Sequence, residues 1–285
     1  MVSRRAACLL VFAAGALAAQ PRRIVSTAPS ITEVLYALGL GDRVAGVTTF
    51  CRYPPEAMKK PKIGTYLEPD LEMIASLSPD LVIIQNNPVH LGERLEALKL
   101  KVLEVNYETP AAVYGAIRKI GDAAGVSSRA AELAERLQRE MEAIRVRAAR
   151  LPRRSAMFVV GRTPQTLTGI IVVGRAPYLN ELIATAGGAN VFSKAQAPYP
   201  NVTLEEILSR NPEVIIDMGD MSNTVGVTEE HKRAVVALWN RYPALAAVRE
   251  HRVFAVASDI FVVPGPRIVE AAAAFARMLH PEAGF

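Results

Sequence analysis

The chain is poor in the residues that covalent chemistry and transition-metal binding require. It has two cysteines and four histidines among 285 residues. Cys8 falls in the extreme N-terminal segment, which leaves Cys51 without a partner and excludes a disulfide framework within one chain. Cys51 reads as a small, semi-buried thiol in a loop. His90, His231, His251 and His280 are scattered, with no spacing that gathers imidazoles around a metal. Glycine-rich phosphate loops of the dinucleotide and P-loop kinds are missing, as are His-Glu-x-x-His and a Gly-x-Ser-x-Gly elbow. Nothing in this inventory requires catalysis, and no cofactor or metal is expected. No apolar run reaches the ~20 residues of a spanning helix. No stripe of basic and aromatic residues points to nucleic acid. The densest basic run (Arg145, Arg147, Arg150, Arg153 and Arg154) reads as the solvated face of a helix.

The N-terminus has the pattern of an export signal. Arg4 and Arg5 precede a short apolar run from Ala6 to Leu17, and Ala16-Leu17-Ala18 offers small residues for cleavage near Ala18 or Ala19. Residues 1–19 are therefore expected to be removed, taking two positive charges from the formal +5 of the whole chain. The mature protein is expected to be soluble and periplasmic.

An internal repeat organises what remains. Leu71-Glu72-Met73-Ile74-Ala75-Ser76-Leu77-Ser78-Pro79-Asp80-Leu81-Val82-Ile83 returns as Leu204-Glu205-Glu206-Ile207-Leu208-Ser209-Arg210-Asn211-Pro212-Glu213-Val214-Ile215-Ile216. Each copy reads as a short helix, a helix-ending proline and a buried aliphatic strand. One repeat at nearly half the chain length implies two like lobes, because solenoid repeats are far shorter. A cleft between lobes is where ligands bind.

Strand signals at 23–26, 44–47, 81–84 and 102–105 alternate with helical segments, which argues for a parallel α/β sheet. Ser30 and Glu33 are spaced as a capping box for a helix through Leu38. From Ser127 or Ser128, Leu133, Leu137, Met141 and Ile144 recur at helical spacing with no Gly or Pro before Pro152. Strand signals return at 157–160, 214–216 and 253–256. An apolar helix from Arg267 to Leu279 closes the chain. The expected architecture is α/β, with two similar Rossmann-like lobes joined by one long α-helix. It divides into an N-terminal lobe (20–126), a linking helix (127–151) and a C-terminal lobe (152–285).

Ligands collect outside the carboxyl ends of parallel strands. In the first lobe that rule selects Phe50, Tyr53, Tyr66 and the stretch Gln85, Asn86 and Asn87. In the second it selects Thr168, Tyr199 and the Ser258-Asp259-Ile260-Phe261 segment. Aromatic faces with a few amides and one carboxylate suit a large amphipathic ligand better than a sugar phosphate or a bare ion.

Pro29-Ser30-x-x-Glu33 after a strand, Tyr53-Pro54-Pro55, Gly64-Thr65-Tyr66, Leu71-Glu72, Pro79-Asp80-Leu81-Val82-Ile83, Gly187-Gly188-Ala189-Asn190-Val191-Phe192 and Ser258-Asp259 together make a pattern. It closely resembles the periplasmic cobalamin-binding proteins, among the helical-backbone substrate-binding proteins that serve ABC importers of corrinoids, haem and ferric siderophores. The resemblance implies a corrinoid held between the lobes without covalent change, by Tyr53, Tyr66, Gln85, Asn86, Thr168, Tyr199, Asp259 and Phe261. It also implies a monomer that meets a two-fold ABC permease, with its ATPase subunits, through one glutamate on each lobe, Glu72 and Glu205. Taken alone, a glutamate at a helix N-terminus is a dipole-stabilising residue. Recurrence at the same place on both lobes favours docking. The chain departs from that pattern where relatives often carry tryptophan, having Tyr66, Gln85 and Tyr199 instead. It also lacks an arginine close after Asp259, with Val262 or Val263 in its place. Haem, a ferric siderophore and an exported two-domain enzyme are the alternatives.

Overall fold

The computed structural model describes residues 20–86, 89–219 and 228–285; the expected export segment and Asn87 lie outside them. The first sheet has four parallel strands, β1 (Ile24–Ser26), β2 (Val44–Val47), β3 (Leu81–Gln85) and β4 (Val102–Val105), in the order β2-β1-β3-β4. Helices α1 (Pro29–Ala37), α2 (Leu71–Ser76), α3 (Leu91–Ala97) and α4 (Pro110–Ala123) cover its faces. Ile24, Val25, Val82 and Ile83 are wholly buried, which explains why these strands read as unbroken aliphatic runs.

Helix α5 (Ser127–Ala148) follows, 22 residues long and so about 33 Å at 1.5 Å per residue. The second sheet contains β5 (Arg154–Gly161), β6 (Ile170–Val172), β7 (Gly188–Asn190), β8 (Asn201–Val202), β9 (Val214–Asp217) and β10 (Val253–Ala255). Strand β5 is its hub, parallel to β7 and β9 and antiparallel to β6. Strand β10 lies parallel beside β9, and β8 antiparallel beside β6. Without β6 and β8, the order β7-β5-β9-β10 reproduces β2-β1-β3-β4. Helices α6 (Pro177–Thr185), α7 (Leu204–Arg210), α8 (Glu229–Trp239), α9 (Ala246–Arg249) and α10 (Ile268–Leu279) complete this half.

The main apolar core is shared. It runs from Ile31 and Leu35 of α1 and Ile117 of α4, through Leu133 and Leu137 of α5, to Phe158 of β5, Leu182 of α6 and Phe275 of α10. Smaller clusters close the outer faces, around Val25, Ile74 and Leu95 on the first sheet and Met157, Ile207 and Trp239 on the second. The single tryptophan of the chain donates from Nε1 to Asp217 Oδ2 at 2.7 Å, and the same oxygen accepts from Arg162 Nε at 2.9 Å. That buried carboxylate is thereby satisfied.

Two local expectations are corrected. The capping box at Ser30 and Glu33 does not form: Pro29 occupies the first turn of α1, so the cap position falls to Ala28, which makes no side-chain cap. The Ser30 hydroxyl instead donates to Gln85 Oε1 at 3.3 Å, and Glu33 pairs with Arg267. A true capping box occurs at α7, where Thr203 and Glu206 bond reciprocally. Of the basic run expected on one helix face, only Arg145 and Arg147 lie on α5; Arg150 and Arg153 follow its end and Arg154 belongs to β5. Strands β6, β7 and β8, two or three residues each, carry too little periodicity to be read in advance.

Candidate functional site

Between the two sheets lies a cavity of about 760 Å3, within the range of small-molecule sites. Its first-lobe wall is Gln85, at the carboxyl end of β3, with Tyr107 and Glu108 just beyond β4. The second-lobe wall comprises Arg175, Ala176, Tyr178 and Leu179 at the start of α6, Tyr199 in the loop before β8, and Phe261 with Val262 beyond β10. Phe261 forms the floor, where its ring lies 5.6 Å from that of Phe158 and 5.1 Å from that of Phe275. The cavity thus sits off the carboxyl ends of parallel strands in both lobes.

The cavity is rich in phenols. Tyr107 and Tyr178 are almost fully buried, and their hydroxyls have no partner among the described residues. Burial pushes both phenols well above the usual range; the nearby Glu33 carboxylate pushes the same way, and at Tyr178 the Arg267 guanidinium opposes it. The Tyr199 phenol is raised by burial as well, although half of that residue remains exposed.

The residues expected at the site are distributed unevenly. Gln85, Tyr199 and Phe261 share the cavity. Tyr66 and Asn86 do not line it; they pair with each other on the first lobe, the Tyr66 hydroxyl donating to the Asn86 carbonyl at 2.5 Å. Tyr53 and Asp259 do not line this cavity; both meet Arg267, which with Tyr53 and Glu33 lines a separate one. The guanidinium carbon of Arg267 is 4.1 Å from the Tyr53 ring centroid, and its Nη1 donates to Asp259 Oδ1 at 2.9 Å. Thr168 is apart from these, in the exposed β5–β6 turn, with its hydroxyl 2.8 Å from that of Thr166. Cys51 is buried against Thr32 and Thr48, both at 3.1 Å, and burial raises its thiol above the ordinary range.

The sequence reading missed Tyr107, Glu108, Arg175 and Tyr178 in the cavity wall, and Arg267 outside it. Tyr107 directly follows a strand, so the strand-end rule alone selects it. Tyr178 hides in an apolar helix start. Arg267 donates to Asp259 from beyond Pro264-Gly265-Pro266, where no helical spacing could relate the two.

Glu72 and Glu205 each stand second in a helix, α2 and α7, and both are exposed. Each helix runs directly into the following strand through a short Pro-containing turn, so it lies antiparallel to that strand. Its N-terminus therefore faces the carboxyl edge of the sheet, the side on which the cavity opens. Among the described residues, no helix is long and apolar enough to cross a membrane, and no group of three or more His, Cys, Asp or Glu is placed to hold a metal.

One parallel and one mostly parallel α/β sheet, one shared core along a long helix and a cleft at the strand ends define the class. The chain belongs to the periplasmic binding protein family, whose model matches residues 24–260. It is 30% identical over 271 residues to the ABC transporter substrate-binding lipoprotein YvrC of Bacillus subtilis, covering 92% of this chain and 81% of that one. It is 27% identical over 277 residues to a vitamin B12-binding protein of Vibrio cholerae, covering 95% of each. The crystal structure of a periplasmic vitamin B12-binding protein from Vibrio cholerae has the same fold, with a TM-score of 0.78 at 24% identity over 93% of this chain and 99% of that one. The apo periplasmic haem-binding protein RhuT of Roseiflexus sp. RS-1 gives 0.76 at 27% identity over 92% and 99%. The chain is thus an extracytoplasmic substrate-binding protein of an ABC transporter, with a small-molecule ligand and a permease partner, and not an enzyme.

Proposed function

We propose that this protein captures a corrinoid between its lobes and delivers it to an ABC permease. Residues 1–19 serve export, 20–126 and 152–285 are the ligand-holding lobes, and 127–151 joins them. The cavity of about 760 Å3 carries the reading, because it combines aromatic faces with few charges at the strand ends of both lobes. Gln85 is placed to bond an amide of the macrocycle edge, Tyr199 to stack on its face, and Phe261 to support it from below. Tyr66 and Asn86 flank the entrance as a hydrogen-bonded pair, with Thr168 further out on the rim. Tyr53 and Asp259 act through Arg267, which holds the walls on which the ligand rests. Glu72 and Glu205 supply one docking charge per lobe to a two-fold permease.

Haem is the second reading, favoured by the likeness to RhuT, at a TM-score of 0.76 and 27% identity. Calorimetric titration of the mature protein with cyanocobalamin, cobinamide and haemin separates the two. Corrinoid binding with no heat from haemin is expected; haemin binding alone would replace the corrinoid reading.

A further inference from the structure

The start of α6 adds a feature that a neutral macrocycle does not use. The cap residue Ala176 makes no side-chain hydrogen bond, and Pro177 contributes no N–H. The first bond back into this turn is Asn180 N–H to the Ala176 carbonyl at 3.2 Å. The N–H groups of Tyr178 and Leu179 therefore have no helical partner, and both residues line the cavity. Arg175, immediately before, lines it too, and its guanidinium has no hydrogen-bond or carboxylate partner among the described residues. The phenol of Tyr178, 93% buried by its 7% exposure, adds an unpartnered hydroxyl to the same wall. Among the described residues, Glu108 is the other charged one lining the cavity, and it belongs to the facing wall of the first lobe. Arg175 and the free N–H groups thus stand together on the second-lobe wall of a largely apolar, phenolic cleft.

We infer that the ligand carries an anionic group, a phosphate or carboxylate, which docks on Arg175 and the free N–H groups at the start of α6. The helix N-terminus supplies oriented donors, and the guanidinium supplies a charge and a planar fork. An anion here is held against the second lobe and kept from Glu108. This deepens the reading of the cleft as the ligand site and rests on it.

Two matched pairs test the inference: cobinamide against cobinamide phosphate, and haemin against its propionamide derivative. Affinities are measured by calorimetry for the wild type, Arg175→Gln and Arg175→Lys. Within the pair that binds, the anionic member is expected to bind more tightly, and Arg175→Gln to weaken it about tenfold while changing the uncharged member less than about twofold. Arg175→Lys should recover part of the loss. Equal weakening of both members, or of neither, would overturn the anion site, as would the absence of binding by all four compounds. Failure of the corrinoid pair alone removes the corrinoid reading and leaves the haemin pair to decide on the anion.

Discussion

Glu33 of α1 and Arg267, at the start of α10, meet across the two lobes although 234 residues separate them. Arg267 Nε donates to Glu33 Oε2 at 3.0 Å, and Nη2 donates to Oε1. With Asp259 on Nη1 and the Tyr53 ring under its plane, one guanidinium joins two groups of the first lobe to one of the second. Together with the shared core along α5, this clasp fixes the spacing of the cleft walls. A receptor so tied should open and close over a smaller range than one hinged on flexible strands.

The clasp gives stability a pH signature. Burial pushes Glu33 up to about 6, and Asp259 and Glu270 push the same way, while Arg267 pulls down. The folded state therefore binds more protons than the unfolded state between the ordinary carboxylate range and about 6. The stability owed to Glu33 is complete below about 4.5 and is lost as pH rises through about 6. In urea unfolding, the advantage of wild type over Glu33→Gln should shrink by about 1.5 kcal/mol between about pH 4.5 and about pH 7.5. A difference independent of pH would mean that burial does not govern this carboxylate.

The repeat extends to single hydrogen bonds. Asp80 accepts from the backbone N–H groups of Arg22 and Arg23 at 2.7 and 3.0 Å, just ahead of β1. Glu213 accepts from the N–H and hydroxyl of Ser155 at 2.7 and 2.9 Å, at the start of β5. Both carboxylates follow the helix-ending proline, and both staple the hub strand of their sheet to the strand that pairs with it. Asp80 is exposed and Glu213 half-buried, so the same truncation should cost more at Glu213. Glu213→Ala is expected to lose about 2 kcal/mol and Asp80→Ala about 1 kcal/mol in equilibrium denaturation. The reverse order would break the equivalence of burial and cost.

Much of this was legible in the chain because it is local. Leu81–Ile84 and Val214–Ile216 announce buried strands by unbroken aliphatic character, and Leu133, Leu137, Met141 and Ile144 announce α5 by spacing. The two glutamates were visible because repetition places them, not because of any property of glutamate. What depends on distant partners was hidden. Glu33 looks like half of a capping box until Arg267 arrives from the far end of the chain, and Tyr178 looks like a core residue until the opposite lobe supplies Tyr107. Local spacing carries no information on which loops converge, so the phenolic wall and the clasp emerge only in three dimensions.

The mirrored glutamates lead to a prediction that separates docking from binding. Glu72 and Glu205 are exposed at the second position of α2 and α7, each two residues before the buried isoleucine, Ile74 or Ile207, that anchors its helix. Neither lines the ligand cavity. Substituting Glu72→Arg together with Glu205→Arg should therefore leave ligand affinity within about twofold, because exposed charges outside the cleft are screened by solvent. On the proposed docking role, delivery to the permease should fall far more steeply, since both docking charges are then reversed. Either single reversal should have an intermediate effect, one lobe still engaging its half of a two-fold partner. Uptake of labelled ligand into proteoliposomes holding the cognate permease and ATPase measures delivery, and calorimetry measures affinity on the same preparations. Affinity that collapses in step with uptake would assign these residues to the fold or the cleft instead. Undiminished uptake by the double variant would remove the paired glutamates from docking altogether.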